Sequence, residues 1–415
     1  MQSEMNVERK DQSQNKSRMV IMMVVLGLAY FFSNFHRLSL GVVSDTIQTE
    51  FQLSTAQLGL LGSALFYPYA IMQLPSGVIG DRVPANKLIA ASCILTACST
   101  LLFSVSQQFS LLVVARMMAG VATALVYVPA LAAIRRKFGD AVYGTMVGIM
   151  VSLGQIGAVC ASAPLQFLTN VLGWRKAFFI IGCLTVVLSI GCWFFIDDNK
   201  NGTQTKQKKE NAWKMVVQPF AIALIVWFFI TGGSRLSFQS LWGGKFFTEA
   251  LSMSADASSI MLMCISIGCI VGASILGSIS DKIGSTKTVV FSSLIFVCTW
   301  IAYAVCKENS SRLFIGAVGI LLGAFGAGGF TVGFSCISLF AKKEYTGTIT
   351  GIVNFFTFLG SAIFTQICGN FMESLPISTS RGQFQVLFIC FAAASLIVTL
   401  FLWGCGRKMN GASDK

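Results

Sequence analysis

Three arginines, Arg37, Arg116 and Arg235, sit inside long apolar runs where no Asp or Glu accompanies them. A guanidinium at the centre of a membrane helix costs about 2.5–3.5 kcal/mol on insertion scales, so such residues usually face a wet cavity and serve function. Their planar fork matches carboxylate or phosphate oxygens two bonds at a time. Two or three of them without an acid predict a cavity that binds an anion. Residues three, four and seven positions away share a helical face with each. That adds Tyr30, Ser33, Asn34 and Gly41 to Arg37, Thr231, Gln239 and Trp242 to Arg235, and Gly120, Thr123 and Tyr127 to Arg116. Gln73 is a lone amide in another apolar run, and serves equally as a substrate contact or as interhelical glue. His36 is the one histidine of the chain and the only side chain here that titrates near neutrality. It points ~100° away from Arg37 on a helix, and stands either as a packing residue or as a candidate for coupling to protons.

The elements that must position these residues are membrane spans. Hydrophobic residues make up 54% of the 415 and charged ones 11%, less than half the usual charged share of about 25% in soluble proteins. The net charge of +13 would suggest nucleic acid in a soluble protein, but here the charges fall in loops. Apolar runs long enough for spans occur near 19–43, 59–79, 88–106, 110–134, 144–168 and 177–196, then near 219–243, 257–279, 288–306, 313–341, 347–371 and 384–404. The first 18 residues are polar and no cleavage signature follows, so the first run is an uncleaved span. Residues 197–218 are polar and charged, the composition of a linker between halves. With both ends cytoplasmic, 21 Lys and Arg lie on that side and 6 on the other, which sets the orientation by the positive-inside rule. The 13 cysteines include no C-x-x-C pair and mostly fall within apolar runs, so they are small buried hydrophobes, with no metal or cofactor expected.

The two halves repeat each other. Arg37-Leu38-Ser39-Leu40 returns as Arg235-Leu236-Ser237-Phe238 at an offset of 198, Gly77-x-x-x-Asp81-Arg82 as Gly277-x-x-x-Asp281-Lys282 at 200, and Gly144-Thr145-x-x-Gly148-Ile149 as Gly347-Thr348-x-x-Gly351-Ile352 at 203. Parallel repeats related by an axis along the membrane normal imply two six-helix bundles with a site between them near the midplane. The expected fold is all-α, with 12 transmembrane helices and a domain plan of tail 1–18, bundle 19–196, linker 197–218, bundle 219–404 and tail 405–415.

Over essentially its whole length the chain resembles the major facilitator superfamily. The loop with Gly77, Asp81, Arg82 and Lys87 is similar to the family signature between helices 2 and 3, with Pro84 in place of the usual Gly. The second copy, Gly277, Asp281, Lys282, Gly284 and Lys287, is closer to it. The resemblance implies a cytoplasmic gate at Asp81, Arg82, Asp281 and Lys282, against the plainer reading of a fold-maintaining turn. Arg116-x-x-x-Gly120 with Tyr127 and Pro129, together with Asn34, Arg37, Gln73-x-Pro75-x-Gly77 and Gly173-Trp174-Arg175, resembles the anion:cation symporters, which include sugar-acid carriers and vesicular glutamate transporters. The Arg37/Arg235 pair is similar to that of organophosphate:phosphate antiporters, although Gln73 stands where those have Lys. His36 and Thr123 stand where many symporters carry Asp and Glu.

These readings converge on a secondary transporter of small organic anions, a carboxylate such as a sugar acid or a phosphate ester, working by alternating access. Arg37, Arg235, Arg116, Asn34, Tyr127, Gln239, Tyr30 and Gln73 are its expected substrate contacts. Exchange of one anion for another is the economical coupling, with proton symport through His36 its rival. The chain is expected to act as a monomer in the cell membrane, a bacterial inner membrane, without nucleic acid, and not as an enzyme. A proton-driven exporter of drug-like solutes and a transporter-like anion sensor stand as alternatives.

Overall fold

The computed structural model describes residues 2–197, 215–342, 345–377 and 379–413, without the side chains of 2–16, 81, 140 and 408–413. The linker expected over 197–218 thus lies mostly outside the described residues. The chain is an all-α multi-pass membrane protein of two six-helix bundles. The first bundle comprises α1 (Gln2–Leu38), α2 (Leu40–Phe51), α3 (Thr55–Arg82), α4 (Ala85–Val105), α5 (Phe109–Ala124), α6 (Tyr127–Phe138), α7 (Asp140–Cys160), α8 (Ala163–Leu172) and α9 (Trp174–Phe195). The second comprises α10 (Pro219–Ala250), α11 (Ala255–Ile283), α12 (Ser285–Val305), α13 (Arg312–Cys336), α14 (Thr346–Ser374) and α15 (Ser380–Ser413). Spans 1, 4 and 5 each comprise two helices: α1 with α2, α5 with α6, and α7 with α8. Eleven helices among the described residues are long and apolar enough to cross a membrane. The remaining span, α3, is as long but carries Tyr67, Pro68, Tyr69, Gln73, Pro75 and Ser76, which lower its hydropathy.

Two boundaries differ from those expected. Span 1 continues past 43 through α2 to Phe51, and span 7 continues past 243 to Ala250. Polar residues hid both extensions, among them the exposed Thr46, Thr49, Glu50 and Glu249. Helix also runs back through the expected tail 1–18 and on through 405–413. Within α10 three π-helical turns, Phe228–Gly232, Phe238–Trp242 and Phe246–Ala250, interrupt the α-helix.

The repeat is visible in the capping chemistry. Ser54 caps α3 and Ser254 caps α11, each hydroxyl accepting a bond from the amide three residues on. At the opposite ends the copies diverge. Gly284 turns from α11 into α12 at φ 89°, a backbone that favours glycine. Pro84, its counterpart, has φ −55° and starts α4 directly. Helices approach closely where glycines remove a side chain. A Cβ on Gly323 of α13 would stand 2.0 Å from the Ile265 carbonyl oxygen of α11, and one on Gly157 of α7 would stand 2.2 Å from that of Phe31 in α1.

The bundles meet over half their depth only. Calling the side that bears both chain ends the terminal face, and the other the far face, the hydrogen bonds between bundles among the described residues lie from mid-depth to the far face. Lys245 Nζ bonds Asp45 Oδ1 at 2.8 Å, Asn170 Nδ2 bonds Asp256 Oδ1 at 2.7 Å, the Ala56 amide bonds Glu373 Oε2 at 2.8 Å, Tyr67 Oη bonds Gln366 Oε1 at 2.8 Å, and Ser266 Oγ bonds the Ala158 carbonyl at 3.3 Å. Toward the terminal face, residues 141–149 of α7 include no buried side chain, and Cβ atoms on Gly144, Gly148, Gly347 and Gly351 would meet nothing within 4 Å. The molecule is sealed at its far face and parted at its terminal face.

Candidate functional site

Arg37 ends α1 at the depth where the two bundles meet. Its Nη2 donates to Asn34 Oδ1, one turn back. Its guanidinium carbon lies 5.3 Å from the Tyr69 ring centroid and 5.5 Å from that of Phe358. The Asn34 bond is its one side-chain hydrogen bond among the described residues, and the residue keeps 8% exposure. Asn34 Nδ2 donates to the Tyr30 carbonyl, and the Tyr30 ring lies 5.0 Å from Tyr127. Gly154 of α7 makes room here, since a Cβ would fall 2.2 Å from the Tyr30 ring and 2.8 Å from Asn34 Nδ2. Gln73 lies one turn along α3, beside the Tyr69 hydroxyl. Arg37, Asn34, Tyr30, Tyr127 and Gln73 thus come together as one polar, tyrosine-rich wall.

Arg235 faces that wall from α10, within electrostatic range of Arg37. Its Nη1 donates to Gln239 Oε1 at 2.8 Å and approaches Cys269 Sγ at 3.7 Å. Gln239 Nε2 passes the network to Ser266 Oγ at 3.0 Å, and Ser266 reaches the Ala158 carbonyl of the first bundle. Phe330 lies 5.2 Å from its guanidinium carbon, and its Nε is buried without a partner. Gly326 accommodates the side chain, as a Cβ there would fall 2.5 Å from Arg235 Cδ.

Arg116 and His36 stand apart from this pair, inside the first bundle. Arg116 Nη1 donates to the His36 carbonyl at 2.8 Å, while its Nε and Nη2 are buried without partners. His36 Nε2 lies 3.4 Å from Thr100 Oγ1. A void of about 20 Å³ beside them, lined by Ser39 and Ser99 among others, has room for little more than one water.

A fourth buried cation, Lys245, falls just past the apolar run that ends near residue 243, among the charges expected in loops. Lys245 is 4% exposed, lies within α10 and pairs with both Asp45 and Glu249. The available signal was the offset of 200 between Asp45 and Lys245, within the range of the other repeats. Tyr69, Phe330 and Phe358 carried no signal, because an aromatic in an apolar run reads as packing. Beyond the Lys245 pair, a cavity of about 170 Å³ opens at the far face, lined by Asp45, Gln166, Asn170, Trp174, Thr248 and Ser258 among others. Trp174 and Arg175 grip Glu50 of α2 at 2.8 and 2.6 Å. Of the expected gate, Arg82 in the last turn of α3 and Asp281 and Lys282 in the last turn of α11 are exposed at the terminal face, and the Asp81 side chain lies outside the described residues.

Two six-helix bundles, sealed at one face and parted at the other around buried polar residues, are the architecture of a multi-pass membrane protein. The chain belongs to the Major Facilitator Superfamily, whose family model matches residues 26–365 and again 228–408. It is 28% identical to the "Probable sulfoacetate transporter SauU" of Cupriavidus necator over 42% of this chain, a match that spans 41% of that protein's length. It is 23% identical to the "Probable galactarate/D-glucarate transporter GudP" of Bacillus subtilis over 88% of this chain and 86% of that one. The fold matches a bacterial homolog of the human lysosomal transporter Spinster, solved in an inward-facing and unoccupied conformation, with a TM-score of 0.76 and 15% identity over 95% of this chain and 98% of that one.

Proposed function

We propose that this protein moves a small organic anion across the membrane by alternating access, with Arg37 and Arg235 as the principal ligands of the anionic group. One observation carries the reading. Two buried guanidiniums occupy repeat-related positions in opposite bundles, and among the described residues neither has a carboxylate partner. A buried charge without a counterion calls for one, and a soluble oxyanion supplies it. The wall of Asn34, Tyr30, Tyr127 and Gln73, with Gln239 opposite it, offers hydroxyls and amides for a polyhydroxy body. Arg116, expected as a third contact, bonds the His36 carbonyl inside the first bundle and stands apart from the pair. The names of the two curated relatives, sulfoacetate and galactarate/D-glucarate, share an oxyanion on a small polar skeleton and support this class. A sugar acid fits it best, with a phosphate ester as the second candidate.

The bundles correspond to 19–196 and 219–404, with 1–18, 197–218 and 405–415 cytoplasmic, and the protein acts as a monomer. The terminal face is then cytoplasmic and the far face external. Asp81, Arg82, Asp281 and Lys282 close the cytoplasmic side in the opposite state. Exchange lets the site recross the membrane with its arginines neutralised, and His36 is the candidate for a proton route. Thermal stabilisation of the purified protein tests the reading. D-glucarate or glucose 6-phosphate should raise the melting temperature and neutral glucose should not. Equal shifts from all three, or from none, would refute it.

A further inference from the structure

The Arg37 guanidinium is shared by the two bundles. Tyr69 belongs to α3 and Phe358 to α14, both rings lie against the same cation, and their centroids are 4.3 Å apart. This contact is the inner end of the α3–α14 seam, which continues toward the far face through Tyr67 with Gln366 and Ala56 with Glu373. Opening the far face must part these pairs. Arg235 has no such bridge, because its ring, Phe330, comes from α13 of its own bundle.

Resting on the reading of Arg37 as an anion ligand, we propose that Tyr69, Arg37 and Phe358 form an inter-bundle clasp that substrate binding loosens. The attraction of a ring face for a guanidinium is electrostatic, from the negative face of the ring quadrupole to the positive charge. An oxyanion on the free edge of Arg37 neutralises that charge and brings negative charge near both rings. The clasp weakens, the seam parts more readily, and occupancy of the site is transmitted to the interface. Coupling of this kind is reciprocal: if the anion weakens the clasp, the clasp weakens anion binding by the same factor. Removing a ring should therefore tighten anion binding, the opposite of what deleting an ordinary pocket wall does.

The test is calorimetric titration of the purified full-length protein with D-glucarate and with glucose 6-phosphate. Wild type is compared with Phe358→Leu, Tyr69→Leu and the conservative Phe358→Tyr. The clasp predicts binding about threefold tighter or more in each Leu variant, from the scale of a partly desolvated cation–π contact, and wild-type affinity in Phe358→Tyr. It also predicts faster far-side labelling of Ser44→Cys, a buried position where α2 meets α10, in the Leu variants without anion. Either Leu variant decides if it is monodisperse. Unchanged or weaker affinity in the folded Leu variants overturns the clasp. Wild type that binds neither compound refutes the anion reading itself, and the clasp with it.

Discussion

A guanidinium held by one amide oxygen and the faces of two rings has its edge free, and that is the condition of Arg37. Arg235 is held by Gln239 and by one ring, Phe330, with its Nε buried and unpaired. Truncating either to alanine should leave a folded, monodisperse protein and weaken D-glucarate binding by at least ~30-fold, the scale for deleting one partner of a buried charge pair. Lysine should also fail, by about tenfold, because a point charge loses the fork. Titration of the purified variants measures both, and wild-type affinity in either alanine variant would remove the arginine from the site. At this scale the sequence was readable where charge meets an apolar run. Arg37 and Arg235 stand out because their cost demands a reason. Tyr69 and Phe358 do not, since their role depends on which helix of the other bundle lies opposite, and spacing within one helix carries no such information.

At the scale of elements, the largest difference between expectation and structure lies in spans 1 and 7. Hydropathy ends both near residues 43 and 243, yet α2 reaches Phe51 and α10 reaches Ala250. The extensions are polar because most of their polar groups keep water, with Asp45 and Glu249 41% and 43% exposed beside Lys245, which is 5% exposed at its side chain. The two carboxylates keep water, so their pairing with Lys245 favours the closed seam modestly, about 1 kcal/mol or ~5-fold in population. Lys245→Met should raise far-side labelling of Ser44→Cys by that factor, and the exchange Asp45→Lys/Lys245→Asp should bring it back. No change in labelling would make the pair incidental to closure. The loops joining spans 2 to 3 and 8 to 9 teach the complementary lesson. Pro84 against Gly284 was a visible departure in sequence, and the structure gives it a cause in two different turns.

For the whole molecule, the internal repeat made the architecture legible: three matched strings imply two bundles and a site between them. The conformational state was not legible, because one sequence must encode both the sealed and the parted arrangement of each face. In the state described, five hydrogen-bonded contacts among the described residues join the bundles from mid-depth to the far face, whereas Arg82, Asp281 and Lys282 stand exposed at the parted face. On the proposal that these charges latch the terminal face, they stabilise the other state alone. Asp81→Asn and Asp281→Asn should therefore shift the population toward the state described here and leave anion affinity intact. Labelling of Gly351→Cys from the terminal side should rise, and unchanged labelling with normal transport would reduce both loops to fold-maintaining turns.

The central claim is that an anion held between Arg37 and Arg235 is what the two bundles carry. Counterflow in proteoliposomes tests it most directly: vesicles loaded with unlabelled D-glucarate, or with glucose 6-phosphate, are diluted into a trace of the same labelled anion. Wild type should accumulate label transiently above its equilibrium level, and Arg37→Ala and Arg235→Ala should not. Absence of accumulation in wild type with both anions, or undiminished accumulation in either alanine variant, would contradict the account.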